Sequence, residues 1–186
     1  MAAKKTSTRA QLKRQLRRLV IARSSFDGAV RACDLATTRV ADRLDPLHGA
    51  LVQSVVISYA RPFTLSSGVG ALPAGWPRFS SSIERSTHAR LLSMRNSTVA
   101  HADAAAWTVS IIPPKDPIVF AGRNPGTLSI RVQYEWLTLA EIYHVRRLAE
   151  KLSRQGAEDI NVLLRKLYGL QRLPDLAFPL TIDNGL

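Results

Sequence analysis

Apolar residues recur at helical spacing over most of this 186-residue chain, and this period constrains the fold more than any other feature of the sequence. The clearest run covers 26–44, where apolar side chains three or four residues apart would share one side of a helix. Asp45 and Pro46 then have the residue types of an N-cap and a first helical position, and Pro62 would end that second helix. We therefore predict a mainly α-helical protein.

The first 23 residues are strongly basic. Eight Lys and Arg residues precede the first acidic residue, Asp27, in a chain whose formal net charge is +12. Four apolar residues recur at helical spacing among these bases, which allows a basic amphipathic helix, with Ser24 or Ser25 capping a new helix behind it. Two interpretations stay open: a solvated basic tail, or an arm that binds RNA or an acidic partner.

Two later segments depart from the helical period. Residues 64–82 are rich in Gly, Pro and Ser, which predicts a loop. Trp76 and Phe79 inside it would pin the loop to the core or, alternatively, stack on nucleic-acid bases. Apolar and polar residues alternate in 107–136, with turn residues at 122–126, which predicts a small antiparallel sheet.

Two further helices are predicted after these strands. Thr138 and Glu141 have the spacing of a capping box, and Gly156 would end the helix that they begin. A last helix, 158–168, would close at Gly169.

The predicted organisation has three parts. Residues 1–23 form a basic N-terminal arm or helix, residues 24–170 form one helical domain, and residues 171–186 form a C-terminal tail. The fold class is a bundle of four to five helices with an inserted β-hairpin or small antiparallel sheet at about 107–136.

The composition excludes several classes of function. A single Cys33 permits no internal disulfide and no cysteine metal cluster, and four scattered His residues lack the spacing of a metal site. Phosphate-binding glycine loops and the GxSxG nucleophile motif are absent. No apolar run has the length of a membrane span or of a signal-peptide core. We expect a cytoplasmic protein without metal or cofactor, and the basic charge favours a nucleic acid as its partner.

One stretch, residues 80–103, combines a titratable imidazole with a fixed cation. Serines at 80–82 followed by Glu84 predict the start of a helix that carries Arg95 and Asn96 toward His101. In a regular helix Arg95 and His101 would lie about 240° and about 9 Å apart, and the long Arg side chain would still let the two line one groove. The apolar residues of this helix that we predict to face the core are Ile83, Leu91, Leu92, Met94 and Val99.

Three other residues are candidates for substrate binding in the same groove. His88 precedes Arg95 by seven residues and would share its helix face, with exposure to solvent as the alternative. Tyr59 and Arg61 end the preceding helix and would reach the groove. Arg61 would contact phosphate there or act as an ordinary cation at a helix C-terminus.

The run RNSTVAHAD, from Arg95 to Asp103, resembles the signature of the HEPN superfamily. That signature has an Arg, a polar residue and, after a short gap, a His near the end of a bundle helix. The order of predicted helices over 26–168 is also similar to the bundle of HEPN proteins from bacterial defence and toxin–antitoxin systems. Two features depart from the pattern: Asp103 stands where family members paired with a nucleotidyltransferase have a Tyr, and the strands lie outside the minimal bundle.

The resemblance implies a metal-independent endoribonuclease that acts as a homodimer, with the motif helices of two subunits facing each other across a cleft. In that role His101 would transfer protons to or from the reacting ribose and leaving oxygens, because an imidazole titrates near neutral pH. Arg95 would bind the scissile phosphate, and Asn96 would orient the phosphate or the imidazole. A cognate antitoxin or defence protein would be a further partner.

Two alternatives to this function remain. The chain would also fit a catalytically inactive HEPN module that binds RNA or a partner protein. It would equally fit a basic structural or regulatory protein that binds nucleic acid, in which the spacing of Arg95 and His101 is accidental.

Overall fold

The chain is described by a computed structural model that covers residues 8–40, 45–65, 69–99, 107–112, 129–134, 137–169 and 180. In these residues the protein is mainly helical, as predicted. The four helices are α1 (Arg9–Arg39), α2 (Pro46–Ala60), α3 (Ser82–Met94) and α4 (Leu139–Tyr168). A 3-10 turn, Arg61–Phe63, follows α2, and a π turn, Arg95–Val99, follows α3. None of the helices in this part of the chain is long and apolar enough to cross a bilayer.

Helix α1 incorporates most of the basic N-terminal segment. The Thr8 hydroxyl accepts a hydrogen bond from the Gln11 amide, and the Gln11 side chain accepts one from the Thr8 amide, which together form a capping box. Leu16 and Leu19 are buried in the core behind this cap. The part of the basic segment from Arg9 onward is therefore a bundle helix rather than a solvated tail.

The predicted helix start at Ser24 or Ser25 is wrong, because α1 continues through both residues to Arg39. The Ser25 hydroxyl donates a hydrogen bond to the Ile21 carbonyl at 3.0 Å and is buried. A serine inside a helix can satisfy its hydroxyl on the carbonyl four residues back, so a serine pair does not require a cap. The domain boundary predicted after residue 23 therefore falls inside one helix.

Helix α4 begins and ends as predicted but has no break. Thr138 and Glu141 form the predicted capping box, and Gly169 closes the helix with a positive φ of 62°. The predicted end at Gly156 is wrong: this glycine is buried within α4 and lies against Arg23 of α1. The two long helices pack along each other here, and this packing offsets the low helix propensity of glycine.

Replacing Gly156 with alanine is expected to raise the free energy of unfolding by about 0.5–1 kcal/mol. An added Cβ would lie 3.7 Å from the Cβ of Arg23, which is an ordinary van der Waals contact. Urea denaturation followed by circular dichroism measures the change. Gly169→Ala is the matched control and should destabilise, because its φ of 62° strains any residue with a Cβ. A lower free energy of unfolding in Gly156→Ala would show that α1 and α4 are too close at this point to accept a Cβ.

The core is organised around Phe26 of α1, which is fully buried. Its ring lies 5.9 Å from Tyr59, 5.8 Å from Phe63 and 6.1 Å from Trp76, and it is stacked parallel to Trp76. The Trp76 indole also donates a hydrogen bond to Asp159 of α4 at 2.9 Å. Both the ring face and the N–H of Trp76 are thus used inside the fold, which favours its interpretation as a pin for the loop.

Two short strands pair antiparallel within the segment of alternating residues. Strand β1 (Trp107–Ile112) lies beside β2 (Ser129–Tyr134), with Trp107 opposite Tyr134. The turn predicted at 122–126 and most of the predicted tail lie outside the described residues. The insertion of this strand pair into a HEPN-like bundle stays a prediction.

Candidate functional site

Helix α3, which carries the Arg95 motif at its end, begins where the serines predict. The Ser81 hydroxyl accepts a hydrogen bond from the Glu84 amide at 3.2 Å, and the Glu84 carboxylate accepts one from the Ser80 amide at 2.6 Å. Both bonds satisfy amides at the helix start, so the prediction of an N-cap among the three serines is confirmed.

Two ion pairs fix the direction of α3 relative to α4. Lys151 lies 2.7 Å from Glu84 near the start of α3, and Arg90 lies 2.8 Å from Glu141 near its end. Because residue numbers fall along α4 as they rise along α3, the two helices are antiparallel. The end of α3, where Arg95 follows, therefore lies toward the start of α4.

Arg95 and Asn96 meet where α3 widens into the π turn. The Arg95 guanidinium donates a hydrogen bond from Nη1 to the Asn96 side-chain carbonyl at 3.0 Å. No carboxylate pairs with Arg95 among the described residues, so most of its five N–H donors stay available to an anion. Turns of π type occur frequently at functional sites. Two of the three predicted catalytic residues, which are neighbours in sequence, are thus joined by a side-chain hydrogen bond.

His101, the third, lies outside the described residues, and its pairing with Arg95 stays a prediction. Over Arg95–Val99 the backbone is not a regular α-helix, because the hydrogen bonds of a π turn span five residues instead of four. The rotation per residue is then smaller than in an α-helix.

The core-facing side of α3 is partly as predicted. Leu91 and Met94 are buried, and Leu92 is partly buried. The prediction for Ile83 is wrong, since 55% of this residue is exposed. It lies in the first turn of α3, where it borders a cavity between α3 and α4. The side chain of Val99 lies outside the described part of the chain.

Tyr59 and His88 belong to an aromatic cluster inside the bundle. The Tyr59 hydroxyl lies 3.0 Å from Nδ1 of His88, and the His88 ring packs edge-on against Phe63 at 4.7 Å and lies 5.0 Å from Phe79. Tyr59 has no exposed surface, so its predicted contact with substrate needs correction. His88 is partly buried, and neither a groove shared with Arg95 nor free exposure to solvent describes its surroundings.

Burial shifts the titration of both groups. It lowers the pKa of His88, because the charged imidazolium loses hydration. It raises the pKa of Tyr59, and the nearby Glu84 carboxylate raises it further. Both side chains are therefore kept neutral, which suits a structural cluster.

Lowering the pH is expected to destabilise the protein through His88. In the unfolded chain its pKa is 6.5, and in the fold it is lower, so the unfolded state binds more protons in the interval between. The contribution of neutral His88 to the free energy of unfolding is fully present above about pH 6.5 and is lost as the pH falls through that interval. Thermal unfolding at several pH values should show a smaller acid-induced fall in Tm for His88→Gln than for wild type. His144→Gln, at an exposed position on α4, is the control; equal falls in all three proteins would contradict the assignment.

Arg61 is exposed at the end of α2, where the 3-10 turn begins. The π turn packs beside α2, but the end of α2 lies against His88, through the Tyr59 hydrogen bond and the Phe63 ring. These contacts do not bring Arg61 to Arg95. The two predicted roles of Arg61, phosphate contact and helix C-terminal cation, both stay open.

The described residues hold neither a reactive thiol nor a cluster of metal ligands. Cys33 is buried, and burial together with the neighbouring Asp34 raises the pKa of its thiol to about 12, so it is not a nucleophile at neutral pH. In the part of the chain that the structure describes, no three His, Cys, Asp or Glu side chains are grouped as a metal ion would require.

A basic cavity between α3 and α4 is a feature that the sequence analysis did not predict. It has a volume of about 250 Å³, and α4 lines it with His144, Arg147, Lys151 and Arg154. These residues are three or four positions apart, so they share one helix face. That spacing was visible in the sequence, but nothing in the sequence indicated that α3 would form the opposite wall.

Comparisons with protein-family models, with curated proteins and with solved structures returned no match.

Proposed function

We propose that this protein is a metal-independent endoribonuclease of HEPN type that acts as a homodimer, with the strand pair as an insertion in the HEPN bundle. The observation that carries the proposal is the Arg95–Asn96 pair at the π turn. Its guanidinium has no carboxylate partner among the described residues, in a chain of net charge +12. An uncompensated, planar cation next to an amide is suited to a phosphodiester.

In the proposed reaction the ribose 2′-OH attacks the adjacent phosphorus. The 2′ O–P bond forms, and the bond from phosphorus to the leaving 5′ oxygen breaks. The imidazole of His101 takes the 2′-OH proton, and an imidazole of the dimeric site gives a proton to the leaving oxygen. Arg95 stabilises the charge that develops on the phosphate, and Asn96 holds Arg95 in place. The products are a 2′,3′-cyclic phosphate and a 5′-hydroxyl.

The test is cleavage of labelled single-stranded RNA by the purified protein in EDTA. We expect cleavage with 2′,3′-cyclic phosphate or 3′-phosphate ends, and none of the same oligonucleotide made of deoxyribose, which lacks the nucleophile. Sedimentation at the same protein concentration should show a dimer. No cleavage of several unrelated RNAs, loss of cleavage in EDTA, or cutting of the deoxyribose substrate would each contradict the proposal.

RNA binding without cleavage is the second candidate function. It is favoured by Arg9, Arg14 and Arg17 of α1, which are exposed and have no ion pair among the described residues. An electrophoretic mobility shift of RNA that stays uncut would support this function. It would fit both an inactive HEPN module and a basic regulatory protein.

The resemblance to HEPN proteins extends the proposal to bacterial toxin–antitoxin or phage-defence systems, with a cognate antitoxin or defence protein as partner. Growth arrest on expression of the wild-type chain, relieved by Arg95→Ala, would support this context.

A further inference from the structure

The cavity between α3 and α4 has a regular row of nitrogen groups on one wall. His144, Arg147, Lys151 and Arg154 share one face of α4 and line this space of about 250 Å³. From His144 to Arg154 the helix rises about 15 Å, at about 1.5 Å per residue. We call this row and the cavity that it lines the α4 groove.

The two acidic residues that line the α4 groove are each paired with a cation. Glu84 accepts hydrogen bonds from Lys151 at 2.7 Å and from Ser80, and these outweigh its burial and lower its pKa. Glu150 is paired with Arg146 at 2.9 Å. Each of these carboxylates therefore has a cation beside it.

Arg147 and Arg154 are left without a counter-charge. Both are exposed, and neither has an ion pair among the described residues. The backbone positions of the two residues lie about two helical turns apart, about 10.5 Å along the axis. Such an arrangement leaves the α4 groove with a net positive charge that α3 does not offset.

We propose that the α4 groove binds the sugar–phosphate backbone of single-stranded RNA and guides it toward Arg95. A length of about 15 Å is enough for several phosphates of one strand, and positively charged grooves that follow the backbone are typical of single-strand binding proteins. Arg90 and Glu141 join the helices between the row and the end of α3, so the row leads toward the Arg95 end. This inference rests on the proposed function for its choice of RNA as the bound strand.

Two arginines two helical turns apart on one helix face fit a strand with a phosphate at every nucleotide better than a peptide, whose acidic residues are spaced irregularly. A cavity of this size has no room for a duplex. Because the contacts are to phosphates, binding should depend on salt and hardly on base sequence.

The test is fluorescence anisotropy with a labelled ten-nucleotide uridine oligomer in EDTA, with every protein in the Arg95→Ala background so that the RNA stays uncut. The double variant Arg147→Gln/Arg154→Gln is expected to bind about tenfold more weakly at low salt. The slope of log K against log salt should become shallower by about 1.4, since each phosphate contact on a single strand contributes about 0.7.

The matched control is Arg165→Gln/Lys166→Gln, which removes two exposed cations from the same helix outside the α4 groove. Circular dichroism confirms that both double variants are folded. Unchanged affinity and slope in this control, with the loss confined to the groove variant, supports the proposal. Equal losses in both variants would overturn it, because binding would then follow overall charge. Displacement of the RNA by an equal concentration of a glutamate decamer would also overturn it in favour of an acidic protein partner.

Failure of this inference can be separated from failure of the proposed function. If wild type binds RNA through Arg147 and Arg154 but cuts none in EDTA, RNA binding by the α4 groove is supported and the nuclease proposal is contradicted. If wild type cuts RNA and the groove variant binds and cuts RNA as well as wild type does, the nuclease proposal is supported and RNA binding by the α4 groove is contradicted.

Discussion

Replacing Arg95 with alanine is expected to slow RNA cleavage by about 10²–10³-fold while leaving the fold intact. The guanidinium is only partly buried and has no carboxylate partner among the described residues, so its loss removes charge stabilisation in the transition state and little packing. His101→Ala is expected to cost about 10²–10⁴-fold, the usual range for a general acid or base. Single-turnover rates in EDTA measure both effects.

Arg85→Ala is the matched control, because Arg85 is an exposed arginine of the same helix α3 outside the motif. It should cleave at the wild-type rate. Arg95→Lys keeps the charge but loses the planar fork, so its rate should lie between wild type and alanine. If Arg95→Ala cut as fast as Arg85→Ala, the motif would be a structural helix end and the nuclease assignment would fail.

Replacing Phe26 with alanine is expected to lower the free energy of unfolding by about 3–5 kcal/mol, the range for removing a buried aromatic ring. The ring is fully buried between Tyr59, Phe63 and Trp76, which belong to three different segments of the chain. No one segment can collapse into the space that the ring leaves. Because a whole domain is stable by only about 5–15 kcal/mol, much of the total would be lost.

Urea denaturation measures this change, with Leu35→Ala as control. Leu35 lies on the same helix but is 47% exposed, so its truncation should alter stability by about 0.5 kcal/mol or less. A loss for Phe26→Ala no larger than for Leu35→Ala would show that the aromatic cluster is not the centre of the core.

Local sequence signals correctly predict four of the eight ends of the described helices. The caps at Asp45, Ser81 and Thr138 and the closing Gly169 are all as predicted. Each depends on a hydrogen bond or a backbone angle within about four residues, and such local effects can be inferred from residue type and spacing alone. The same holds for the mainly helical class and for the motif that places Arg95 next to Asn96.

Packing between distant segments decides where the helices continue without a break and which side chains contact each other. Ser25 and Gly156 look like helix ends, but both lie inside long helices because α1 and α4 pack along each other and continuous helices bury more apolar surface. His88 is held in its cluster by Tyr59, 29 residues away in sequence, and by aromatic rings from two other segments. The α4 groove likewise exists because α3 lies beside that face of α4. Contacts between distant segments depend on how whole elements pack, and residue spacing within one segment does not contain that information.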